Sequence, residues 1–195
     1  MIMRHPHVGK NVFDELQRTF PGSSSHFWGR YESITSDSLP YTLATFYETI
    51  RLYPPVPVEL KECTSSSTFP DGTAMPIGAI VMWVPWAMGR SKRIWSVDAD
   101  AFRPERWLIK DDAGTVSLIS KTPFEFPVFN GGPRSCLGKK MAESLAISII
   151  ASLVWRYNFE EADFEGSGSR PERRSQNSLT LPMENGMPCR VQLIR

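Results

Sequence analysis

A short glycine-rich segment that surrounds one cysteine constrains this chain more than any other feature. Residues 129–138 read Phe-Asn-Gly-Gly-Pro-Arg-Ser-Cys-Leu-Gly, so that glycines flank Cys136 on both sides. Apolar residues then recur at every fourth position, which predicts a helix that begins at or just after the cysteine. They are Leu137, Met141, Leu145, Ile149 and Leu153. Free N–H groups and the positive end of a helix dipole favour the anionic form of a nearby sulfur. The segment therefore predicts a thiolate that is presented to a metal.

The residues next to Cys136 suit a flat ligand with acidic groups. Gly131 and Gly132 allow the backbone to turn tightly and to approach a ligand closely, and Pro133 stiffens that turn. Arg134 adds a permanent positive charge and forked donors that match a carboxylate.

Other interpretations of this segment fit less well. Gly138-Lys139 resembles the end of a phosphate-binding loop, but Pro133 stands where that motif needs glycine and no Ser or Thr follows the lysine. A zinc site needs several closely spaced ligands, whereas Cys63 and Cys189 are remote and have no CxxC partner. A buried structural cysteine is the remaining alternative, and the surrounding Phe, Gly and Arg spacing disfavours it.

Five residues of the segment resemble the haem-binding signature of the cytochrome P-450 haem-thiolate monooxygenases. They are Phe129, Gly132, Arg134, Cys136 and Gly138. The resemblance implies haem as the cofactor, Cys136 as the proximal iron ligand and Arg134 as the partner of a haem propionate. It also implies that Phe129 packs near the sulfur. In this family the thiolate favours cleavage of the O–O bond.

A second group of residues is charged and carries the same resemblance. Glu48 and Arg51 are three residues apart in a predicted helix and share one face, where a solvated surface pair is the simplest interpretation. Residues 47–57 resemble the family's E-x-x-R helix with its proline-rich exit, and residues 104–107 resemble the element whose arginine meets that helix. The resemblance implies a structural triad of Glu48, Arg51 and Arg106 that fixes the loop carrying Cys136. Buried charges persist only when they are paired with one another.

Further site residues are also implied by the resemblance. Lys61 stands where many relatives have a basic residue facing a haem propionate, although a plain exposed lysine is an equally simple interpretation. Val56 and Val58 match the segment that lines the substrate pocket. Thr180 and Leu181 match the tip of a C-terminal hairpin that enters the same pocket. No residue of this chain is assigned as catalytic.

The spacing of apolar residues and of prolines predicts a mainly α fold with small antiparallel β-sheets. A first helix is expected from Pro6 to Phe20 and a second from Pro40 to Tyr53. Residues 79–84 predict a strand, 103–128 an irregular loop, 166–170 a linker, and 179–193 a hairpin around Asn185-Gly186. The helix after Cys136 is expected to be nearly buried, with one narrow polar seam.

Composition and net charge limit the classes of partner and the cellular compartments that suit this chain. The 195 residues carry a net charge of +1, so nothing indicates a nucleic-acid partner, and three unpatterned cysteines fit a reducing compartment. The apolar run 145–155 is too short to span a bilayer. The resemblance implies an NADPH-dependent reductase as electron donor, docking near Lys139 and Lys140, and a small apolar substrate. For a full-length relative it implies the cytosolic face of the endoplasmic reticulum membrane.

The resemblance covers the C-terminal part of the family's fold, so residues 1–195 are interpreted as a single partial domain. The membrane anchor and the distal helix with the acid and threonine that serve bound oxygen are not found in this sequence. The isolated chain is therefore expected to show little monooxygenase turnover. Residues 87–95 and 102–108 are similar to fatty-acid ω-hydroxylase branches, which suggests a lipid-like substrate. The alternatives are a non-catalytic haem-binding or haem-sensing module and a non-functional truncated remnant.

Overall fold

The computed structural model describes residues 1–21, 34–162, 172–176 and 178–194. The described residues form a mainly helical fold with small antiparallel sheets, as predicted from the sequence. The α-helices in this part of the chain are α1 (Pro6–Thr19), α2 (Pro40–Leu52), α3 (Pro85–Met88), α4 (Lys92–Trp95) and α5 (Lys139–Arg156). Short 3-10 helices lie at Ile2–Arg4, Pro104–Trp107, Pro127–Phe129 and Gly132–Arg134.

The first two helices begin and end where prolines and apolar spacing predict. Pro6 and Pro40 occupy the first helical positions, where a missing N–H costs nothing. Helix α1 buries Val8, Val12 and Leu16 on one face. Helix α2 is buried along most of its length, and Pro54 follows its last turn. Both predicted helices are confirmed, with ends that differ by one residue.

A carboxylate from α1 caps the start of α2. The residue before α2, Leu39, offers no capping side chain. Glu15 instead accepts hydrogen bonds from the Tyr41 N–H at 2.7 Å, the Thr42 N–H at 2.8 Å and the Thr42 hydroxyl at 2.7 Å. Burial raises the pKa of Glu15 above its ordinary value, although these hydrogen bonds oppose the shift. The contact fixes the position of α2 relative to α1.

Helix α5 is buried on one face only among the described residues. Ile147, Ala151 and Trp155 pack into the core that α1 and α2 form. The opposite face is exposed, and its apolar residues are Met141, Leu145, Ile149 and Leu153; Leu137, two residues before the helix, is exposed as well. The expectation of a nearly buried helix is therefore wrong for the described residues. The sequence pattern shows which faces are apolar but does not show whether a neighbouring element covers them.

Four two-stranded antiparallel sheets complete the described fold. They pair β1 (Glu59–Glu62) with β4 (Ile80–Trp83), β2 (Ser67–Thr68) with β3 (Ala74–Met75), β5 (Leu108–Lys110) with β6 (Val116–Leu118), and β7 (Tyr157–Glu161) with β8 (Cys189–Leu193). The predicted strand at 79–84 is confirmed by β4.

Two expectations about irregular segments are corrected. Residues 103–128 were expected to be a loop, yet they contain the 3-10 helix Pro104–Trp107 and the β5–β6 hairpin. The last strand, β8, pairs with β7 instead of folding back on 179–183 around Asn185-Gly186. The turn itself forms, because both residues adopt positive φ angles, but the strand partner is remote in sequence. The expected linker 166–170 lies outside the described residues.

Candidate functional site

A fully buried carboxylate organises the centre of the fold. Glu48 lies on α2 and accepts five hydrogen bonds. The donors are Arg51 Nε and Nη2 at 2.8 Å each, the Arg103 N–H at 2.8 Å, Arg106 Nε at 2.9 Å and the Trp107 indole N–H at 2.9 Å. Burial alone would raise the pKa of Glu48, but the bonds and charges of its partners hold it below the ordinary value. Glu48 is therefore ionised in the folded chain near neutral pH.

Arg51 extends this centre to the segment that follows α3. Its guanidinium donates to the carbonyl oxygens of Gly89, Ala99 at 2.6 Å and Ala101 at 3.0 Å, and it lies over the Trp95 ring at 5.1 Å. Gly89 also packs against the backbone of α2, where an added Cβ would stand 2.1 Å from the Arg51 carbonyl oxygen, so that no larger residue fits there. The cation is thus fully hydrogen-bonded without water.

Arg106 completes what we call the buried charge cluster, namely Glu48, Arg51 and Arg106. Arg106 also donates to the carbonyl oxygens of Trp95 at 3.2 Å and Asp98 at 3.1 Å, and it pairs with the Asp98 carboxylate at 3.4 Å. The structure brings the three predicted triad residues into direct contact. They join α2 to the chain between α3 and β5.

An aromatic cluster connects the buried charge cluster to the segment before the cysteine. The Trp107 ring centroid lies 4.8 Å from that of Phe126 and 5.2 Å from that of Tyr47. Phe126 in turn lies 6.2 Å from Phe129, and Tyr47 lies 6.5 Å from the same ring. Trp107, which donates to Glu48, is therefore connected to Phe129 through one intermediate ring, either that of Phe126 or that of Tyr47. Phe129 is the first residue of the cysteine loop, which we define as residues 129–138.

The cysteine loop is closed by its own backbone. The Cys136 N–H donates to the Phe129 carbonyl at 2.7 Å, and the Lys139 N–H donates to the Cys136 carbonyl at 3.4 Å. Helix α5 starts at Lys139, three residues after the cysteine, which confirms the prediction of a helix just after Cys136. Cys136 is exposed, and Gly132 adopts φ +67°, which favours glycine. The loop presents the thiol at the surface of the described fold.

The donor set at Cys136 fits a cofactor that brings its own metal ligands. One sulfur supplies a single ligand, and no group of three or more His, Cys, Asp or Glu side chains within the described ranges could hold a metal ion. A Cβ added at Gly132 would meet open space, and one added at Gly138 would lie 3.9 Å from the Cys136 sulfur. Arg134 is exposed on the same loop. These features fit a porphyrin metal with acidic side groups.

The other predicted site residues lie on neighbouring segments. Lys61 is exposed on β1, opposite Val81 of β4, and β1 reaches the cysteine loop through a 3.3 Å hydrogen bond from Asn130 to Glu59. The Leu181 N–H donates to the Pro55 carbonyl at 3.1 Å. That bond places Thr180 and Leu181 beside the segment of Val56 and Val58.

Several residues of the site have roles that no sequence pattern assigns to them. Trp107 donates to Glu48, Gly89 makes room for Arg51, and Tyr47 donates to Glu143 at 2.5 Å. Trp107 directly follows the predicted arginine of residues 104–107, so the motif pointed to its neighbourhood. A tyrosine or a glycine alone indicates no such role, because the contact depends on the fold.

The comparison with known families agrees with this geometry. A sequence model of the cytochrome P-450 family matches residues 1–190. This chain belongs to the cytochrome P-450 family. It is similar to cytochrome P-450 94A2 of Vicia sativa, with 33% identity over 98% of this chain and 35% of that protein. Cytochrome P-450 CYP94D108 of Paris polyphylla is 42% identical over 76% of this chain and 28% of its own length. Cytochrome P-450 86B1 of Arabidopsis thaliana is 39% identical over 96% of this chain and 33% of its own length.

The matched portion is a limited part of each relative. The chain spans about a third of the length of the curated cytochrome P-450 proteins it matches. None of the helices in residues 1–21, 34–162, 172–176 and 178–194 has the length and apolar character that a bilayer span requires.

Proposed function

We propose that this chain forms the haem-holding proximal part of a cytochrome P-450 monooxygenase. The observation that carries the proposal is the exposed Cys136, whose N–H is held by Phe129 in a loop joined through aromatic contacts to the buried charge cluster. In the whole protein the reaction would place one oxygen atom on an apolar substrate. A reductase that uses NADPH would supply the electrons.

The residues of the chain would divide the work of holding the cofactor. Cys136 would ligate the iron as a thiolate, and Arg134 and Lys61 would bind the propionates. The backbone at Gly132 and Gly138 would lie close to the macrocycle, since neither carries a side chain that would intervene. When bound, haem supplies oxygen activation, and a thiolate ligand favours O–O cleavage. The protein supplies the fixed position of the sulfur.

Two segments would line the substrate side. The bond between the Leu181 N–H and the Pro55 carbonyl supports a shared wall made of Val56, Val58, Thr180 and Leu181. This wall is largely apolar, which suits a lipid-like substrate. We further propose that the whole protein works at the cytosolic face of the endoplasmic reticulum membrane.

A haem titration with matched cysteine variants tests the proposal. Cys136→Ser should abolish the thiolate-type Soret band of the reduced carbon monoxide complex and should weaken haem uptake. Cys189→Ser is the control, because Cys189 is also a free and exposed cysteine but lies on β8. It should bind haem like the original chain. If Cys136→Ser binds haem with unchanged affinity and spectrum, the assignment of the ligand fails.

A further inference from the structure

A hydrogen bond joins α2 to α5 next to the cysteine loop. The Tyr47 hydroxyl on α2 donates to Oε1 of Glu143 on α5, and the two oxygens are 2.5 Å apart. The Tyr47 side chain is half-buried, and Glu143 is mostly buried. Burial, together with the bond to Glu143 and its charge, raises the pKa of Tyr47 above its ordinary value. The phenol therefore stays protonated and acts as the donor.

The two residues are part of a closed set of contacts around Phe129. Glu143 pairs with Lys139 one turn earlier on α5, with 3.8 Å between Lys139 Nζ and Glu143 Oε1. The Lys139 ammonium lies 5.6 Å from the centre of the Phe129 ring, and the Tyr47 ring lies 6.5 Å from it. The Phe129 carbonyl accepts the Cys136 N–H. Tyr47 thus contacts the first residue of the cysteine loop, and Glu143 pairs with Lys139, the residue that follows the loop.

We propose that Tyr47 and Glu143 are positioning residues that set the geometry of Cys136. Their bond fixes the start of α5 relative to α2, and the cysteine loop leads into α5 and contacts Tyr47 through Phe129. Without the bond, the loop adopts other arrangements in which the sulfur is displaced. The effect toward haem rests on the proposed function, whereas the effect on the loop itself does not. The pair is not part of the buried charge cluster: it reaches the loop through Phe129 and Lys139, although the Tyr47 ring also lies 5.2 Å from the Trp107 ring.

A matched tyrosine on the same helix provides the control. Tyr41 also donates its hydroxyl to a carboxylate, Glu105, at 2.7 Å, and it accepts a bond from Asn11 at 3.0 Å. Neither partner belongs to the cysteine loop. Tyr47→Phe and Tyr41→Phe therefore each remove one phenol–carboxylate bond while keeping the ring. A general loss of stability would affect both variants alike.

Hydrogen exchange in the haem-free chain measures the position of the loop directly. Tyr47→Phe should lower the protection of the Cys136 amide about tenfold, since a bond to a charged group then no longer opposes local opening. Tyr41→Phe should leave that amide within about twofold of its original protection. Adding Glu143→Gln to Tyr47→Phe should cost less than Glu143→Gln costs on its own, because the bond to the phenol is already absent and only the ion pair with Lys139 is left to lose. Equal effects of the two tyrosine variants, or fully additive effects of the pair, would overturn the proposal.

Haem binding gives the second readout. Tyr47→Phe should raise the haem dissociation constant about tenfold and increase the share of complex without the thiolate-type band, whereas Tyr41→Phe should change neither. If the original chain takes up no haem, the proposed function fails while hydrogen exchange still decides whether the pair positions the loop. If the original chain binds haem and Tyr47→Phe matches Tyr41→Phe in both readouts, the positioning role alone is refuted.

Discussion

Replacing Trp107 by phenylalanine tests how much the fold depends on the hydrogen bonds that surround Glu48. The substitution keeps an aromatic ring in the cluster but removes the indole N–H that lies 2.9 Å from Glu48. Trp95→Phe is its matched control, because Trp95 is 3% exposed and Trp107 is 1% exposed, and both belong to the same small core cluster. The Trp95 indole donates to a neutral acceptor, the Met88 carbonyl, at 3.1 Å.

The two variants lose a similar amount of stability through the cavity they create, but they lose hydrogen bonds of different strength. Each loses the same ring volume from a buried site, so the cavity contribution to the free energy of unfolding is similar. A hydrogen bond to a charged group contributes about 1.5–3 kcal/mol, whereas one between neutral groups contributes about 0.5–1.5 kcal/mol. Trp107→Phe should therefore be more destabilising than Trp95→Phe by about 1 kcal/mol or more. For a chain of this length, that difference lowers the melting temperature by about 2–4 °C.

Equilibrium unfolding in urea measures the difference. Both variants should keep the denaturant dependence of the original chain, so that a shift in midpoint reports a change in stability. In a Glu48→Gln background the difference between the two variants should shrink, because the acceptor is then neutral. If Trp95→Phe is as destabilising as Trp107→Phe, the bond to Glu48 carries no special weight and the reasoning fails.

Two further predictions concern the same cluster. Gly89→Ala should cost at least about 2 kcal/mol of unfolding free energy, because the new Cβ meets the Arg51 backbone carbonyl. Gly9→Ala meets only one side-chain methyl group of Ile2 and should stay within about 1 kcal/mol. Urea midpoints compare the two variants, and equal costs would contradict the close approach at Gly89. Because the folded pKa of Glu48 lies below its ordinary value, its stabilising contribution is complete above about pH 5 and is lost as the pH falls through the folded pKa. Midpoints measured across that range should fall less steeply for Glu48→Gln, and an unchanged pH dependence would contradict this assignment.

The parts of the fold that sequence reasoning predicted depend on local signals. Helices α1 and α2 have a proline at the first position, a regular apolar face and a stop signal after the last turn. Strands β5 and β6 were missed because three residues are too few to show an alternating pattern. The pairing of β8 with β7 was missed because residues far apart in sequence meet there, and turn chemistry cannot indicate a remote partner.

In the candidate site, too, the residues with a local sequence signal were predicted and the contacts between remote residues were not. Glu48, Arg51, Arg106 and Cys136 were predicted because their spacing resembles family motifs, and the structure places the three charged residues in contact. The supporting contacts could not be predicted. Glu15 of α1 caps the start of α2. Neither the residue type nor the spacing of Glu15, or of the residues around Cys136, indicates which partners they contact. These contacts exist only once the helices have packed.

The two hydrogen-bonded centres differ in how many segments they join, and this difference affects how the chain responds to substitution. The buried charge cluster draws its donors from several segments, and removal of one member leaves an unpaired buried charge, which destabilises the whole fold. The bond between Tyr47 and Glu143 joins only α2 and α5, close to the cysteine loop. Variants of the cluster should therefore lower global stability, and any loss of protection at the Cys136 amide should accompany that global loss. Variants of Tyr47 should expose that amide while most of the fold stays intact. A comparison of Cys136 amide protection with the unfolding midpoint thus distinguishes local loosening of the cysteine loop from a global loss of stability.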